Sequence, residues 1–208
     1  MKEKHYFKRY GAIVLSLTLL LSLFFPDTAW ADQAEHTQEE QTTTFPVHVI
    51  HKTGDDRENF VIVIMGEGYT AEQQEQFLQD ATEKVQGMLE WSPYKEYSDR
   101  INIYAIQTVS NEAGVMSENT NLDTCFHVRA YGKSCVFTNG GEEKARALRA
   151  ELENQYLDTG ATVGTIHIIC NTTANIGSSS NSLFSFSANS EENERGDVMT
   201  HEMAHSIG

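Results

Sequence analysis

The feature that most constrains the fold is a run of apolar residues in the first half of the chain. Residues 60–65 read FVIVIM without a polar interruption. A strand with one solvent-exposed face alternates apolar and polar residues. A continuous apolar run therefore predicts a strand that is buried on both faces. Residues 163–170 (VGTIHIIC) form a second run of this kind. Sheets built on such strands are covered on both sides, which predicts an α/β sandwich.

Two segments between and around these runs have a helical period. Thr70 is a good N-cap with Gln73 three residues later, as in a capping box, and Ser92-Pro93 is expected to stop the helix. The second helix is predicted over residues 142–157 and ends before Gly160. The apolar stripes, which should face the core, are Phe77, Ala81, Val85, Met88 and Leu89 in the first helix and Ala145, Leu148, Leu152 and Tyr156 in the second.

Further strands are predicted at residues 47–51 and 101–109. The resulting order, β-β-α-β-α-β, indicates a twisted and mostly parallel sheet. Residues 111–141 have no clear period and are numerous enough to form a functional excursion. His167 lies inside the last apolar run, where a core histidine with satisfied hydrogen bonds is expected more often than a ligand.

The first 31 residues are predicted to be a signal peptide. Basic residues up to Arg9 precede an uncharged apolar run over residues 11–25, and Ala29-Trp30-Ala31 matches an A-x-A cleavage site. As a helix that run would span roughly 22 Å, short of a hydrocarbon core about 30 Å thick. We therefore expect a secreted protein cleaved after Ala31 with no stable membrane span, although an uncleaved N-terminal anchor stays open.

Residues 32–46 are predicted to be a polar linker, which leaves residues 47–208 for the folded domain. The chain carries 15 Lys and Arg against 30 Asp and Glu, a net charge of −15. Nucleic-acid binding depends on clustered basic residues that release counterions from the phosphates. The composition therefore argues against a nucleic-acid partner.

All three cysteines follow the predicted signal peptide. Outside the cytosol a disulfide can persist, and Cys125 with Cys135 would close a short loop around Tyr131-Gly132. Cys170 ends an apolar run and is expected to be a buried small hydrophobe, with a reactive thiol as the alternative.

A serine-rich segment at residues 177–190 (GSSSNSLFSFSANS) precedes the last motif of the chain. One interpretation is a polar loop that ends in a short edge strand. A sharper one is that this edge pairs with an extended peptide through its main-chain donors and acceptors. The residues that would bind substrate in this way are Phe184, Ser185, Phe186, Ser187 and Ala188.

The motif that carries chemistry is HExxH, formed by His201, Glu202 and His205. On a helix, residues i and i+4 share a face, so both imidazoles can reach one metal ion. Neutral imidazole nitrogen is a good ligand for zinc, and a catalytic zinc takes three protein ligands plus water. Glu202 lies about 100° around the helix, beside the metal, where it can serve as the general base.

Gly208 stands three residues after His205, as in HExxHxxG zinc peptidases, in which the chain turns back and a third ligand follows shortly. The given sequence ends at Gly208, so we expect the third ligand to lie beyond it. The domain would then be the N-terminal portion of a catalytic domain, truncated at the active-site helix.

The sequence resembles the secreted IgA peptidase family of zinc metalloendopeptidases over residues 47–208. The most specific pieces are Gly66-Glu67-Gly68-Tyr69-Thr70 and HEMAHSIG at residues 201–208. The other shared pieces are Phe77, Asp80, Pro93-Tyr94, Tyr97, Ile101-Asn102-Ile103-Tyr104, Ser110, Gly114-Val115, Thr124 and Phe126.

The resemblance implies a zincin- or metzincin-like three-layer α/β sandwich with a twisted, mostly parallel sheet, an edge strand and an active-site helix. It implies one zinc ion on His201 and His205, Glu202 as the base, and protein or peptide substrates. The family usually has Asp where this chain has Glu67, which we interpret mainly as part of a strand-to-helix turn. Family resemblance does not make IgA the substrate.

Two other classes of function stay open. The chain could be a non-catalytic secreted binding module that keeps the fold with an incomplete metal site, or a structural or adhesive domain with an accidental HExxH. A His, Asp or Glu encoded soon after Gly208 would favour the enzyme, whereas an authentic stop codon would favour the binding module.

Overall fold

The computed structural model describes residues 45–181, 183–189 and 197–207. They form a mixed α/β fold around a six-stranded sheet. The sheet strands are β1 (Val47–His51), β2 (Phe60–Glu67), β3 (Ile101–Ile106), β6 (Val163–Cys170), β7 (Gly177–Ser180) and β8 (Phe184–Ala188). The other elements are the hairpin strands β4 (Val128–Tyr131) and β5 (Ser134–Phe137) and the helices α1 (Gln74–Met88), α2 (Gly141–Gln155) and α3 (Asp197–Ile207).

The strand order in the sheet is β1-β3-β2-β6-β8-β7. The four central strands are parallel, while β1 and β7 run antiparallel at the two edges. This confirms the prediction of a mostly parallel sheet. The two continuous apolar runs became β2 and β6, which pair with each other in the middle of the sheet.

Two hydrophobic clusters cover the two faces of the sheet, as the apolar runs require. One face packs against α2 and the β4–β5 hairpin, through residues such as Leu148, Leu152 and Val128. The other face packs against α1 and α3, through residues such as Phe77 and Met203. The described part of the chain is therefore built in three layers, with the sheet between them.

The first helix begins in two stages. A short 3₁₀ turn, Ala71–Gln73, follows Thr70 and leads directly into α1. The backbone N–H of Thr70 donates to Oε1 of Gln73 at 3.2 Å, which is one half of the predicted capping box. The predicted start of the helix is thus correct in place, with a tighter first turn than an α-helix has.

The excursion over residues 111–141 contains the β4–β5 hairpin, which the sequence pattern did not reveal. A buried carboxylate at the end of β2 holds this segment: Oε1 of Glu67 accepts from Oγ1 of Thr124 at 2.5 Å and from N of Val128 at 2.8 Å. Oε2 accepts from N of Phe126 at 2.8 Å. Glu67 is therefore more than a turn residue, because it satisfies donors of a segment about 60 residues away.

Burial raises the pKa of the Glu67 carboxyl above its usual value, although the three donors act in the opposite direction. A carboxylate in such a place costs free energy unless every lone pair finds a donor. The hydrogen bonds to the hairpin segment are what offset that cost.

The predicted edge position of Phe184–Ala188 is wrong. This strand, β8, pairs with β6 on one side and with β7 on the other, and all five of its residues are buried. The serine-rich residues before it fold back as a separate strand, so β7 and not β8 is the edge. The main chain of Phe184, Ser185, Phe186, Ser187 and Ala188 is thus occupied and cannot add a peptide strand.

The polar side chains of β8 are used inside the sheet. Nδ1 of His167 lies 2.8 Å from Oγ of Ser185, and Nε2 lies 2.8 Å from Oγ of Ser187. The imidazole is fully buried with both nitrogens bonded, which confirms the prediction of a satisfied core histidine. The two serines are consequently partners of His167 rather than substrate contacts.

The predicted Cys125–Cys135 disulfide is not formed in the structure. All three cysteines are free and buried. The side chain next to Cys135 is that of Cys170, whereas the thiol of Cys125 hydrogen-bonds with Lys144. The short loop of sequence between Cys125 and Cys135 suggested the wrong pair, because the hairpin turns the second cysteine toward the sheet. Cys170 is buried as predicted.

The predicted signal peptide and most of the predicted linker lie outside the described residues. Phe45 packs against the core, and O of Pro46 accepts a hydrogen bond from N of Gln107 at 3.0 Å. Among the described helices, the search for a span long and apolar enough to cross a membrane found no candidate.

The burial of His167 predicts a pH dependence of stability. Desolvation, and secondarily the charge of Lys84, lower its pKa from 6.5 to about 3. Below pH 6.5 the unfolded chain binds a proton at His167 that the folded chain does not bind. The contribution of His167 to the free energy of unfolding is therefore complete above about pH 6.5 and is lost progressively toward pH 3. The shift corresponds to a loss of stability on the order of 5 kcal/mol.

Urea unfolding of the wild type and of His167→Gln, measured between pH 7 and pH 4, tests this. The stability difference between the two proteins should be largest at pH 7 and should shrink as the pH falls. A difference that stays constant over this range would contradict the assignment of a buried neutral imidazole.

Candidate metal centre

The rotation of α3 is set by two methionines that face the sheet. Met199 and Met203 are one helical turn apart, and both have a relative exposure of 0%. They pack in the cluster on the α1 side of the sheet, which also contains Phe77 and Ile169. Since residues i and i+4 share a helix face, their burial determines which face of α3 is left for solvent.

The opposite face carries both histidines of the motif. At about 100° per residue, His201 and His205 point about 160° away from the methionine pair. Both side chains are exposed, and their Nε2 atoms lie 3.2 Å apart. The rings meet edge to face, with centroids 4.8 Å apart and an interplanar angle of 85°. The two nitrogens thus converge on one point outside the helix.

This spacing fits a shared metal ion. Two ligands of a tetrahedral zinc at about 2.0 to 2.1 Å from the metal are about 3.3 Å from each other. The observed separation of 3.2 Å between the two Nε2 atoms agrees with that value. The pair therefore meets the geometric requirement for two of the ligands of a zinc site without a change of rotamer.

Glu202 lies on the flank of the helix, between the exposed and the buried faces, and is half-buried. A Cβ atom built on Gly177 would lie 3.1 Å from Oε1 and 3.5 Å from Cγ of Glu202. The same Cβ would lie only 2.5 Å from Cγ1 of Val198. The glutamate thus extends over the first residue of β7, and only glycine leaves space for it there.

A second contact joins α3 to the same strand. The hydroxyl groups of Ser179 and Ser206 lie 3.3 Å apart, and Ser206 is buried. Together with the close approach at Gly177, this contact lays the helix along the edge strand. The carboxylate of Glu202 is consequently held near the open edge of the sheet.

A polar network joins the residues that follow three parallel strands, β2, β6 and β8. Oδ2 of Asp80 accepts from the hydroxyl of Tyr69 at 2.6 Å and from Nδ2 of Asn189 at 2.9 Å. Nδ2 of Asn171 donates to O of Gly68 at 2.8 Å. Burial raises the pKa of Tyr69, and the neighbouring carboxylate of Asp80 adds to this, so the phenol stays a donor.

Sequence patterns alone did not assign this network, although Tyr69 and Asp80 are among the residues that carry the family resemblance. Their polar side chains are 11 positions apart and belong to different elements. The sequence showed an acidic residue, Asp80, on a predicted helix. Its partner, Tyr69, became evident only from the positions of the strands in the structure.

The structure brings together His201, Glu202 and His205 and does not bring the strand Phe184–Ala188 to the surface beside them. Within residues 45–181, 183–189 and 197–207, no group of three or more His, Cys, Asp and Glu side chains could hold a metal ion. His48 and His51 are engaged elsewhere, with Gln107 and with O of Ser98. The described residues thus bring together two imidazoles and a neighbouring carboxylate.

The close contact at Gly177 predicts a pair of compensating substitutions. Gly177→Ala should destabilise the protein by about 1 to 3 kcal/mol, because the new methyl group overlaps Val198 and crowds Glu202. Val198→Ala introduced into the same chain should restore a large part of that loss. Urea unfolding of both single variants and the double variant measures the coupling. Purely additive effects would contradict the seating of α3 on β7.

Comparison with known proteins agrees with this arrangement. A family model described as IgA peptidase M64 matches residues 48–208, which include nearly all of the sheet, the hairpin and the HExxH motif. A search of curated proteins finds no match. The match covers most of the chain, and the chain therefore belongs to the M64 family of IgA peptidases.

Proposed function

We propose that the protein is a secreted zinc-dependent endopeptidase that hydrolyses peptide bonds in protein or peptide substrates. The observation that carries this proposal is the convergence of Nε2 of His201 and of His205 at 3.2 Å, with Glu202 beside them. Membership of a peptidase family supports the hydrolytic part of the proposal. Zinc, the role of Glu202 and secretion are the parts that require experiments.

The imidazoles of His201 and His205 would hold the metal as neutral ligands. A zinc ion in this place would supply Lewis acidity to the scissile carbonyl and to water. Both histidines are exposed, so a substrate has access to the outer side of the pair. The helix bearing them is anchored by buried methionines, which keeps the two nitrogens at a fixed separation.

Glu202 would act as the general base. Its carboxylate would take a proton from the attacking water and deliver it to the leaving amine. The half-buried position against Gly177 limits the conformations available to the side chain. A carboxylate kept in one place beside the metal ligands needs little reorganisation, and no covalent intermediate is required.

The substrate would extend along β7 rather than along β8. N of Gly177 donates away from the sheet, to O of Lys133 at 3.0 Å. Because alternate residues of a strand direct their main-chain groups to the same side, N and O of Ser179 also face outward. Since N of Gly177 already donates to the hairpin, an extended peptide could pair with the main chain of Ser179, whose side chain contacts Ser206 of α3.

Export is proposed from the N-terminal pattern of basic residues, apolar run and Ala-Trp-Ala site, which precedes the described residues. The name of the family refers to IgA, but specificity lies in the contacts along the cleft. Peptide substrates as a class are what membership of a peptidase family supports.

A second candidate, a secreted binding module without catalytic activity, is favoured by one observation. The described residues bring only two zinc ligands together, and two imidazoles alone would hold zinc weakly. Such a module would bind peptides along β7 through main-chain pairing without hydrolysing them. Metal content and turnover distinguish the two candidates.

The role of Glu202 predicts a separation of metal binding from catalysis. Glu202→Gln should keep the zinc content of the wild type, because the carboxylate is not a ligand, and should lower kcat by about 100-fold or more. His201→Ala should lose both zinc and activity. Glu75→Gln, an exposed carboxylate on α1, is the matched control and should change neither.

Metal analysis by mass spectrometry and cleavage of a quenched fluorescent peptide library are the measurements. Retained turnover in Glu202→Gln would place the base elsewhere. A folded wild type that binds zinc and peptides without hydrolysing them would favour the binding module. A folded wild type that takes up no zinc would overturn the assignment of His201 and of His205 as metal ligands.

A further inference from the structure

Two of the three buried cysteines meet between the hairpin and the central sheet. Cys135 lies on β5 with a relative exposure of 2%, and Cys170 is the last residue of β6 with 0%. Both belong to the hydrophobic cluster on the α2 side of the sheet. They are separated by 34 intervening residues, 136–169, and come from different elements.

The packing of β5 explains their proximity. The ring of Phe137 lies across β8, with its centroid 5.0 Å from that of Phe184 and 4.9 Å from that of Phe186. Cys135 stands two residues before Phe137, on the same face of β5. Cys170 pairs in register with Ala188, two residues beyond Phe186. The side chains of Cys135 and Cys170 interact directly, which places the two thiols next to each other.

The main chain around Cys135 is also fixed to the edge strand. Oγ of Ser178 accepts from N of Cys135 at 2.9 Å and donates to O of Cys135 at 3.2 Å. O of Lys133 accepts from N of Gly177 at 3.0 Å. The hairpin thus restrains β7, the strand against which Glu202 packs.

Cys125 stands apart from this pair. Its thiol hydrogen-bonds with Lys144, and its backbone N donates to Oγ of Ser110 at 2.9 Å. Burial raises the pKa of this thiol, which disfavours the thiolate needed for reaction. The three cysteines therefore divide into one contacting pair and one isolated thiol.

We propose that Cys135 and Cys170 form a disulfide when the protein folds in the presence of a small-molecule disulfide such as oxidised glutathione. One thiolate attacks the external disulfide and releases one molecule of the small thiol. The second thiolate then attacks the mixed disulfide, forms the Cys135–Cys170 bond and releases a second molecule. The two protein thiols are oxidised and the external disulfide is reduced to two thiols.

The bond would tie the β4–β5 hairpin covalently to β6. Because the hairpin also contacts β7 at Gly177 and Ser178, the bond would restrain the edge strand against which Glu202 packs. This inference concerns the scaffold and stands whether or not the protein is a peptidase. It replaces the Cys125–Cys135 pairing suggested by sequence spacing.

The state of the thiols determines when the bond can form. The hydrogen bond with Cys135, followed by burial, raises the pKa of Cys170 well above its usual value. The thiol of Cys170 in the folded protein is then mostly protonated at neutral pH, and burial shields both cysteines from an external disulfide. Oxidation during refolding, before the hairpin closes over β6, is the efficient route.

The test is refolding of the denatured, reduced protein in a mixture of reduced and oxidised glutathione. Free thiols are then blocked with N-ethylmaleimide, and the protein is digested without reduction and mapped by mass spectrometry. We expect one linked peptide pair containing Cys135 and Cys170, and a blocked Cys125. Three blocked cysteines, a link to Cys125, or glutathione retained on Cys135 or Cys170 would overturn the proposal.

Variants and stability add an independent readout. Cys125→Ala should give the same linked pair, and Cys135→Ala should give none.

In the wild type, the oxidised protein should melt roughly 6 to 12 °C above the protein kept reduced with a phosphine. Because the map is made on the wild type, the proposal stays testable if Cys135→Ala fails to fold. A melting temperature that oxidation leaves unchanged would contradict the restraint of the hairpin.

Discussion

The burial of Met199 and Met203 against the sheet is the contact on which the candidate site depends. A helix that buries two residues one turn apart can present only the opposite face to solvent, and that face carries His201 and His205. A rotation of α3 by one residue would turn an imidazole toward the core and expose a methionine. Hydrophobic packing thus sets the direction in which the two imidazoles point.

The sheet supplies the surface for this packing in several steps. The apolar residues of β2 and β6 are buried on both faces, so helices and the hairpin can cover both sides of the sheet. Glu67, at the end of β2, binds the segment before the hairpin through its carboxylate. The hairpin in turn contacts β7, and Gly177 of β7 leaves room for Glu202. The position of the Glu202 carboxylate therefore depends on residues from four separate elements.

Much of this could be predicted from local patterns. Continuous apolar runs identified β2 and β6, helical spacing identified α1 and α2, and the i,i+4 spacing of the histidines correctly placed both on one face of a helix. These signals succeed because each reports a period or a chemical requirement within one element. The burial of His167 followed in the same way from its place in an apolar strand.

The misses have a common physical origin in contacts between distant segments. Alternation over residues 184–188 is compatible with an edge strand, and only the fold-back of Gly177–Ser180 makes β8 internal. The partner of Cys135 depends on how Phe137 packs across β8, which sequence separation does not encode. Likewise, nothing local to Glu67 indicated that its three donors lie in residues 124–128.

The most direct test of the central claim is X-ray absorption spectroscopy at the zinc edge of the zinc-loaded protein. The account predicts two imidazole nitrogens at about 2.0 to 2.1 Å from one zinc per chain. The imidazole scattering should diminish in both His201→Ala and His205→Ala. A zinc environment without imidazole scattering, or one that neither substitution alters, would contradict the assignment of these histidines as the metal ligands.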